Sequence, residues 1–264
     1  MAEAEGGPAN VYVDFERAIA SVANVTEEAL RRAGLSGRES SVALGLGLAG
    51  ISTAQDARHV EGRFARFAYV KAENDAVIAC LGAHGGADGA IVIAGTGTAA
   101  MARVQGRTTI IGGRGFIVGD DGSGARIGLE CLRAVAKAAD GIGLQSSLTD
   151  AVLAKFDGDL VKIVNWAATA RPGDFGSLAP IVLDHALRGD LVAKPIVTSA
   201  VAAIGALAAA VRGLGAPRVA LVGGLGTGLR PFFSPDLQTL LEEPAADPLE
   251  GAILLAASSR GLTE

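Results

Sequence analysis

Apolar residues recur at helical spacing near the start of the chain. They fall on one face of a helix: Ile19, Val22, Val25, Ala29 and Leu30. This spacing predicts an amphipathic helix over 14–33. Asp14 is suited to cap its first turn and Gly34 to end it.

The next segment alternates leucine with small residues. Leu44, Leu46 and Leu48 point to one face and predict a β-strand. Gly45 and Gly47 leave the opposite face bare, so we expect another backbone to pack closely there.

Strands and helices then follow in turn. The pattern predicts a charged helix over 53–67, a strand over 68–71 and a helix over 76–81. A repeated strand and helix predicts a mostly parallel sheet, whose ligand crevice lies at the carboxyl ends of the strands.

The second half contains one hairpin and many helices. Strands are predicted over 91–93, 108–111 and 218–222. Helices are predicted over 126–139, 147–155, 160–169, 180–188, 193–214 and 249–260. A glycine-rich run over 82–89 favours a domain boundary there.

Composition narrows the possible partners. A net charge of −5 and a pI near 5.3 argue against a nucleic-acid surface. Cys80 and Cys131 match neither a disulfide framework nor a metal-ligand spacing, which favours reduced thiols and a cytoplasmic location. The N-terminus lacks the features of a signal peptide, and the longest apolar stretch, 200–211, is expected to be too short to cross a membrane.

The most informative stretch begins directly after the strand over 91–93. Gly95, Thr96, Gly97 and Thr98 form a turn whose N–H and hydroxyl groups can hold phosphate oxygens. A plain hairpin turn is the alternative.

A second glycine-rich loop follows the hairpin. Gly113 allows a close approach of backbone to a ligand, and Asp120 and Asp121 place two carboxylates on a tight turn. Ser123 is suited to cap the helix that begins after it.

Taken in order, these pieces resemble the N-acetylglucosamine and glucosamine kinases, within the BadF/BadG/BcrA/BcrD-type ATPases of the actin-like sugar kinase superfamily. The resemblance extends to 6–10, 43–50, 73–75 and 221–226. It implies an α/β, actin-like (ribonuclease H-like) two-lobe ATPase fold with mixed central sheets and flanking helices. It also implies a homodimer that uses ATP and Mg²⁺ to phosphorylate the 6-hydroxyl of N-acetylglucosamine or glucosamine.

The resemblance also divides the chain. An N-terminal lobe is expected over 1–88, completed by a C-terminal helix over 249–264. A C-terminal lobe over 89–248 is expected to carry the sugar and nucleotide loops.

Residue roles carry over at matching motif positions. Asp75 is expected to orient the sugar 6-hydroxyl and to accept its proton, although an aspartate between strand and helix is also a common helix cap. Asn10, Gly113 and Asp120 are expected to bind the sugar with Asp75. Asn10 could equally stabilise a turn, and Asp121 competes with Asp120 for the same role.

The nucleotide site is expected to include two glycine-rich turns. Gly95, Thr96, Gly97 and Thr98 resemble the second phosphate loop. Gly223, Gly224 and Gly226 resemble the adenosine loop, where missing side chains let a base and ribose lie against the backbone. A turn at the end of a strand is the alternative for Gly223 and Gly224.

Three features depart from the family pattern. Arg114 stands where the family usually has tryptophan, and Asp121 stands where it usually has glutamate. The chain also lacks the opening D-x-G-G-T loop that grips the β- and γ-phosphates, so we expect an unpaired sheet edge near 42–48 and impaired kinase activity. The alternatives are a non-catalytic sugar-binding module and the ATPase that activates an acyl-CoA dehydratase, which would need cysteines for an iron–sulfur cluster.

Overall fold

The computed structural model describes residues 2–258. The chain divides into two compact units. The first unit consists of the chain up to Asp88 together with the chain from Pro244 onward, and the second is Gly89–Glu243.

The first unit places helices around a small parallel sheet. Its helices are α1 (Phe15–Arg32), α2 (Ala54–Arg63), α3 (Asp75–Ala83) and α12 (Pro248–Ser258), and its strands are β1 (Ala43–Leu48) and β2 (Tyr69–Asn74). The Asp14 carboxylate accepts a hydrogen bond from the Arg17 N–H at 3.0 Å, so the predicted cap of α1 is confirmed.

The two faces of β1 differ as the sequence predicts. Leu46 and Leu48 are buried in a core with α1 and α2. On the other face, a Cβ added at Gly45 would overlap the Ala252 carbonyl of α12, and one at Gly47 would overlap the Ile78 side chain of α3. The bare face therefore lets two helices pack directly on the strand.

The pairing of β1 is one-sided. Its register with β2 runs from Ala43 opposite Tyr69 to Leu48 opposite Asn74. Among residues 2–258, the other edge has only an isolated bridge from Asn10 to Ala49 beyond the strand end.

The boundary between the units differs from the predicted one. Residues 244–248 are predicted to belong to the C-terminal lobe, but they lie in the first unit. The reason is backbone pairing, since the N–H groups of Ala245 and Ala246 donate to the carbonyls of Ala83 and Gly82 at 3.0 and 3.1 Å. Residues 259–264 of the predicted C-terminal helix lie outside the described residues.

The second unit is built on a mixed sheet. Its strands are β3 (Gly89–Ala94), β4 (Thr98–Val104), β5 (Arg107–Gly112), β6 (Val219–Val222) and β7 (Leu241–Glu242), in the order β5-β4-β3-β6-β7. Strands β3, β4 and β5 pair antiparallel, whereas β6 lies parallel to both β3 and β7. Its helices are α4 (Gly124–Ala139), α5 (Ser147–Ala154), α6 (Leu160–Thr169), α7 (Pro172–Gly176), α8 (Ala179–Leu187), α9 (Ala193–Gly213), α10 (Gly224–Leu229) and α11 (Pro235–Leu240).

Helix α9 covers almost the whole span predicted for it, 193–214. Its 21 residues are enough, by length and composition, to cross a membrane, whereas the apolar stretch 200–211 within it is shorter. A core helix passes the same test, and Val197, Ile204 and Val211 are fully buried in the core of the second unit.

Candidate functional site

The turn between β3 and β4 is fixed by the start of α4. The N–H groups of Gly124 and Ala125 donate to the carbonyls of Gly95 and Thr96, at 2.9 and 3.3 Å. A further hydrogen bond of 3.0 Å joins the Gly95 N–H to the Gly97 carbonyl. The first N–H groups of α4 therefore hold the turn itself and are not free for a ligand.

The same turn keeps several donors unused. Within residues 2–258, the N–H groups of Thr96 and Gly97 have no acceptor. The Thr98 hydroxyl is buried and also lacks a hydrogen-bond partner. Buried polar groups without partners are uncommon, and neighbouring unused donors in a glycine-rich turn are suited to phosphate oxygens.

Asp120 lies against this turn. Its backbone is in the left-handed region, with φ of +59°, and its carbonyl accepts from the Ser123 N–H at 3.0 Å. A Cβ added at Gly97 would lie 3.0 Å from Asp120 Oδ2, so the glycine leaves room for the carboxylate. In contrast, Asp121 is exposed and pairs with Arg126 Nε at 3.5 Å.

Gly113 anchors the other end of the loop that carries Asp120. Its φ is +64°, and its N–H donates to the Thr98 carbonyl at 3.1 Å. Its Cβ position is 3.2 Å from the Ala99 side chain. Both ends of the loop therefore adjoin the Gly95–Thr98 turn.

The glycines after β6 reach the same edge of the sheet. Ile93 is opposite Val222 in the parallel β3–β6 pair, so both strands end together. Gly223 has φ of +101°, and a Cβ there would overlap the Ala94 carbonyl. This turn therefore lies against the end of β3. Gly226, inside α10, packs on Leu221, whose side chain would lie 3.0 Å from a Cβ added at Gly226.

Asp75 and Asn10 belong to the first unit. Asp75 is the first residue of α3 and is exposed. The N-cap is its neighbour Asn74, whose side chain accepts from the Ala76 N–H at 2.9 Å. Asp75 Oδ1 also accepts from this N–H, at 3.0 Å, and Oδ2 has no partner within the described chain.

Asn10 stabilises a turn with its side chain, one of the two roles that the sequence allows for it. Its Oδ1 accepts from the N–H groups of Tyr12 and Val13, at 3.0 and 3.2 Å. Its Nδ2 makes no hydrogen bond to any described residue. Asn10 pairs with Ala49 at the end of β1, and the neighbouring Leu48 pairs with Asn74 at the end of β2. Asn10 is therefore about two strand spacings, roughly 10 Å, from the start of α3.

An open pocket of about 320 Å³ lies beside Asn10 in the first unit. It is lined by Val11, Tyr12, Phe15, Gly50, Ser52, Asp56 and His59. The sequence does not predict this pocket, because its residues come from separate segments of the chain and match no motif. One sign was available in Tyr12 and Val13, two apolar residues outside any predicted element.

The cysteines are poor candidates for cluster ligands. Cys80 and Cys131 are both buried, and neither forms a disulfide within residues 2–258. Burial, with a smaller effect of Asp190, raises the pKa of Cys131 to about 12. Because the thiolate is the metal ligand, this environment disfavours ligation. In the part of the chain that the structure describes, no group of three acidic, His or Cys side chains could hold a metal ion.

The sequence pattern of the BadF/BadG/BcrA/BcrD ATPase family matches residues 1–256. The chain belongs to this family. It is 36% identical over 258 residues to a glucosamine kinase of Vibrio cholerae, a match that covers 97% of this chain and 87% of the relative. It is 31% identical over 203 residues to an N-acetylmuramic acid/N-acetylglucosamine kinase of Clostridium acetobutylicum, covering 74% of this chain and 66% of the relative.

A solved structure agrees with these matches. The crystal structure of a Chromobacterium violaceum protein assigned as an N-acetylglucosamine kinase has a TM-score of 0.85 and 35% identity. It covers 97% of this chain and 90% of that chain. The predicted α/β, actin-like fold of this ATPase family member is therefore confirmed. The relatives are kinases, so the two alternative activities gain no support from them.

Proposed function

We propose that this chain transfers the γ-phosphoryl group of ATP to the 6-hydroxyl of an amino sugar, glucosamine or N-acetylglucosamine. The observation that carries the proposal is the Gly95–Thr98 turn, with its unused N–H and hydroxyl donors and the Asp120 carboxylate beside it. Kinase relatives that match almost the whole chain support this assignment.

In this proposal the nucleotide binds to residues of the second unit. The donors of Thr96, Gly97 and Thr98 bind phosphate oxygens, because phosphoryl transfer depends mainly on positioning and on counter-charge. Gly223, Gly224 and Gly226 receive the adenosine, and an added side chain at Gly224 would meet nothing within 4 Å.

Mg²⁺ accompanies the nucleotide in this proposal. Enzymes commonly bind it through one or two carboxylates together with substrate phosphates and water. The free Asp120 carboxylate beside the phosphate turn fits such a role as well as a sugar contact.

Asp75 is the proposed catalytic base. An exposed carboxylate at the first turn of α3, with Oδ2 unpaired, can accept the proton of the attacking hydroxyl. Because Asn74 already caps the helix, Asp75 is available for this role. Asn10 Nδ2, Gly113 and Asp120 are the other proposed sugar contacts.

A coupled assay of ADP release with glucosamine and N-acetylglucosamine tests the function. The product of at least one sugar should carry phosphate on carbon 6. The Asp75→Asn variant should lose at least about a hundredfold in kcat. Its control is Asp236→Asn, the same change in the first turn of α11.

Two results would contradict the proposal. Full turnover by the Asp75→Asn variant would show that Asp75 is not the catalytic base. Calorimetry that detects sugar binding without nucleotide binding would favour the non-catalytic sugar-binding module. The homodimer and the cytoplasmic location remain predictions, and light scattering in solution tests the first.

A further inference from the structure

Arg126 is bound to the loop that carries Asp120. It lies in the first turn of α4, and only 24% of its side chain is exposed. Its Nη2 donates to the carbonyls of Phe116 and Gly119, at 3.3 and 3.1 Å, and its Nε lies 3.5 Å from Asp121 Oδ1. The guanidinium therefore contacts both residues that adjoin Asp120 in the chain.

The backbone of Asp120 depends on such support. Its φ of +59° is uncommon for a residue with a side chain, and such conformations persist where the surrounding structure fixes them. Residues 113–123 lie outside every helix and strand, and the side chains of Ile117 and Val118 are 85% and 77% exposed. Among the described residues, Arg126 alone makes hydrogen bonds to 114–119 from outside the loop.

The ring of Phe116 continues this support into the core of the unit. The Arg126 guanidinium lies over this ring, 5.8 Å from its centroid. Phe116 packs on Phe175 with 5.1 Å between ring centroids, and Phe175 packs on Trp166 at 5.3 Å. A Cβ added at Gly128 would overlap the Phe175 carbonyl, so α7 lies directly on α4. One helix, α4, therefore fixes both the guanidinium and the aromatic ring that hold the loop.

We propose that Arg126 is a positioning residue for the amino sugar, which holds the Asp120 carboxylate in place and does not itself contact the sugar. This inference rests on the proposed function. The phosphate turn is held separately, because its carbonyls accept from the N–H groups of Gly124 and Ala125. Loss of the guanidinium should therefore weaken sugar binding and leave nucleotide binding intact.

The Arg126→Ala variant tests the proposal by steady-state kinetics and calorimetry with glucosamine and N-acetylglucosamine. We expect the KM and the Kd of the sugar to rise about tenfold, and the KM of ATP to stay within about twofold, because misplaced contacts are costly. Arg126→Lys should have a smaller effect, since lysine keeps the charge but lacks the planar fork of donors. The control is Arg133→Ala, on the same helix, whose exposed pair with Glu130 is remote from the loop contacts; it should change none of these values.

Free guanidinium supplies a readout that a purely structural role would not move. At a concentration too low to unfold the chain, guanidinium chloride should lower the sugar KM of Arg126→Ala by about threefold, because it can restore the charged donors. An equal concentration of sodium chloride should not. Equal increases in the sugar and ATP KM values, or no recovery with guanidinium, overturn the proposal.

Hydrogen exchange separates this inference from the proposed function. In Arg126→Ala, mass spectrometry should show about tenfold faster exchange of the amides of 114–120, with no change in those of 95–98. Unchanged exchange in 114–120 overturns the positioning role even in an active enzyme. An absence of ADP release by the natural chain contradicts the proposed function instead.

A second variant guards against misfolding of Arg126→Ala. Phe116→Leu keeps an apolar side chain against Phe175 but removes the ring beneath the guanidinium. It should raise the Kd of the sugar about threefold and speed the same exchange, because the cation and the ring attract each other. An unchanged Kd in the folded Phe116→Leu variant overturns the proposal.

Discussion

The Asp120 carboxylate lies close to Gly97, so that a Cβ added at Gly97 would lie only 3.0 Å from Asp120 Oδ2. The contact joins a proposed sugar-binding group to the proposed phosphate turn. A change at Gly97 should therefore alter the position of Asp120 more than the stability of the unit.

The Gly97→Ala variant tests this relationship. The carboxylate is the movable end of a side chain, so we expect little loss of stability and about a tenfold fall in kcat/KM, since displaced catalytic groups are costly. Thermal melting and steady-state kinetics measure the two effects. A severe loss of stability with normal activity of the folded fraction would contradict the expectation.

Gly223 should be far less tolerant than Gly224. Alanine at 223 would adopt φ of +101° and overlap the Ala94 carbonyl, whereas alanine at 224 meets no atom within 4 Å. We expect Gly223→Ala to lower the free energy of unfolding by at least about 2 kcal/mol. Gly224→Ala should cost little, and comparable urea midpoints for the two variants would refute the packing argument.

Asp190 should make stability depend on acid pH. Burial raises its pKa, but hydrogen bonds from the N–H groups of Ala193, Leu148 and Val192 and from Ser147 outweigh this and lower it. Because the pKa of Asp190 is lower in the folded chain than in the unfolded chain, the ionised carboxylate stabilises the fold at pH values above the unfolded pKa of about 3.9. This contribution is lost progressively as the pH falls from about 3.9 toward the folded pKa.

Urea unfolding at several pH values measures this effect. Asp190→Asn should lose about 2 kcal/mol at pH 7 because its buried partners lose a charged acceptor. Its stability should fall less steeply than that of the natural chain below pH 4. Parallel profiles for both proteins would show that Asp190 is not responsible.

Arg114 should influence the choice between amino sugars. Arg126, the other cation of this region, donates to the carbonyls of Gly119 and Phe116 and pairs with Asp121, but Arg114 has no partner within residues 2–258. Its Cβ is only 3.1 Å from the Cβ position of Gly119, the residue before Asp120.

A free guanidinium near the sugar contacts disfavours the ammonium group of glucosamine. Arg114→Gln should therefore raise kcat/KM for glucosamine relative to neutral N-acetylglucosamine by about fivefold, and added salt should reduce the difference. Arg107→Gln, in the preceding strand β5, is the control. An unchanged ratio would place Arg114 away from the sugar.

Local patterns predicted much of each unit but not the details of the site. The cap of α1 and the bare face of β1 follow from residue spacing, because both depend on neighbours in the chain. The short elements α7, α10, α11 and β7 were missed, since so few residues carry too little periodicity. Whether Asn74 or Asp75 caps α3, and which of Asp120 and Asp121 faces the turn, depends on side-chain geometry that spacing does not contain.

The return of α12 onto β1 has a consequence for biosynthesis. The Gly45 face of β1 is covered by Ala252 of α12. Strand β1 therefore cannot be covered on this face until a segment more than two hundred residues later has left the ribosome. The continuous second unit can acquire its core while that strand is still bare. Nascent chains should therefore become resistant to protease first in the middle of the sequence, against the usual order from the N-terminus.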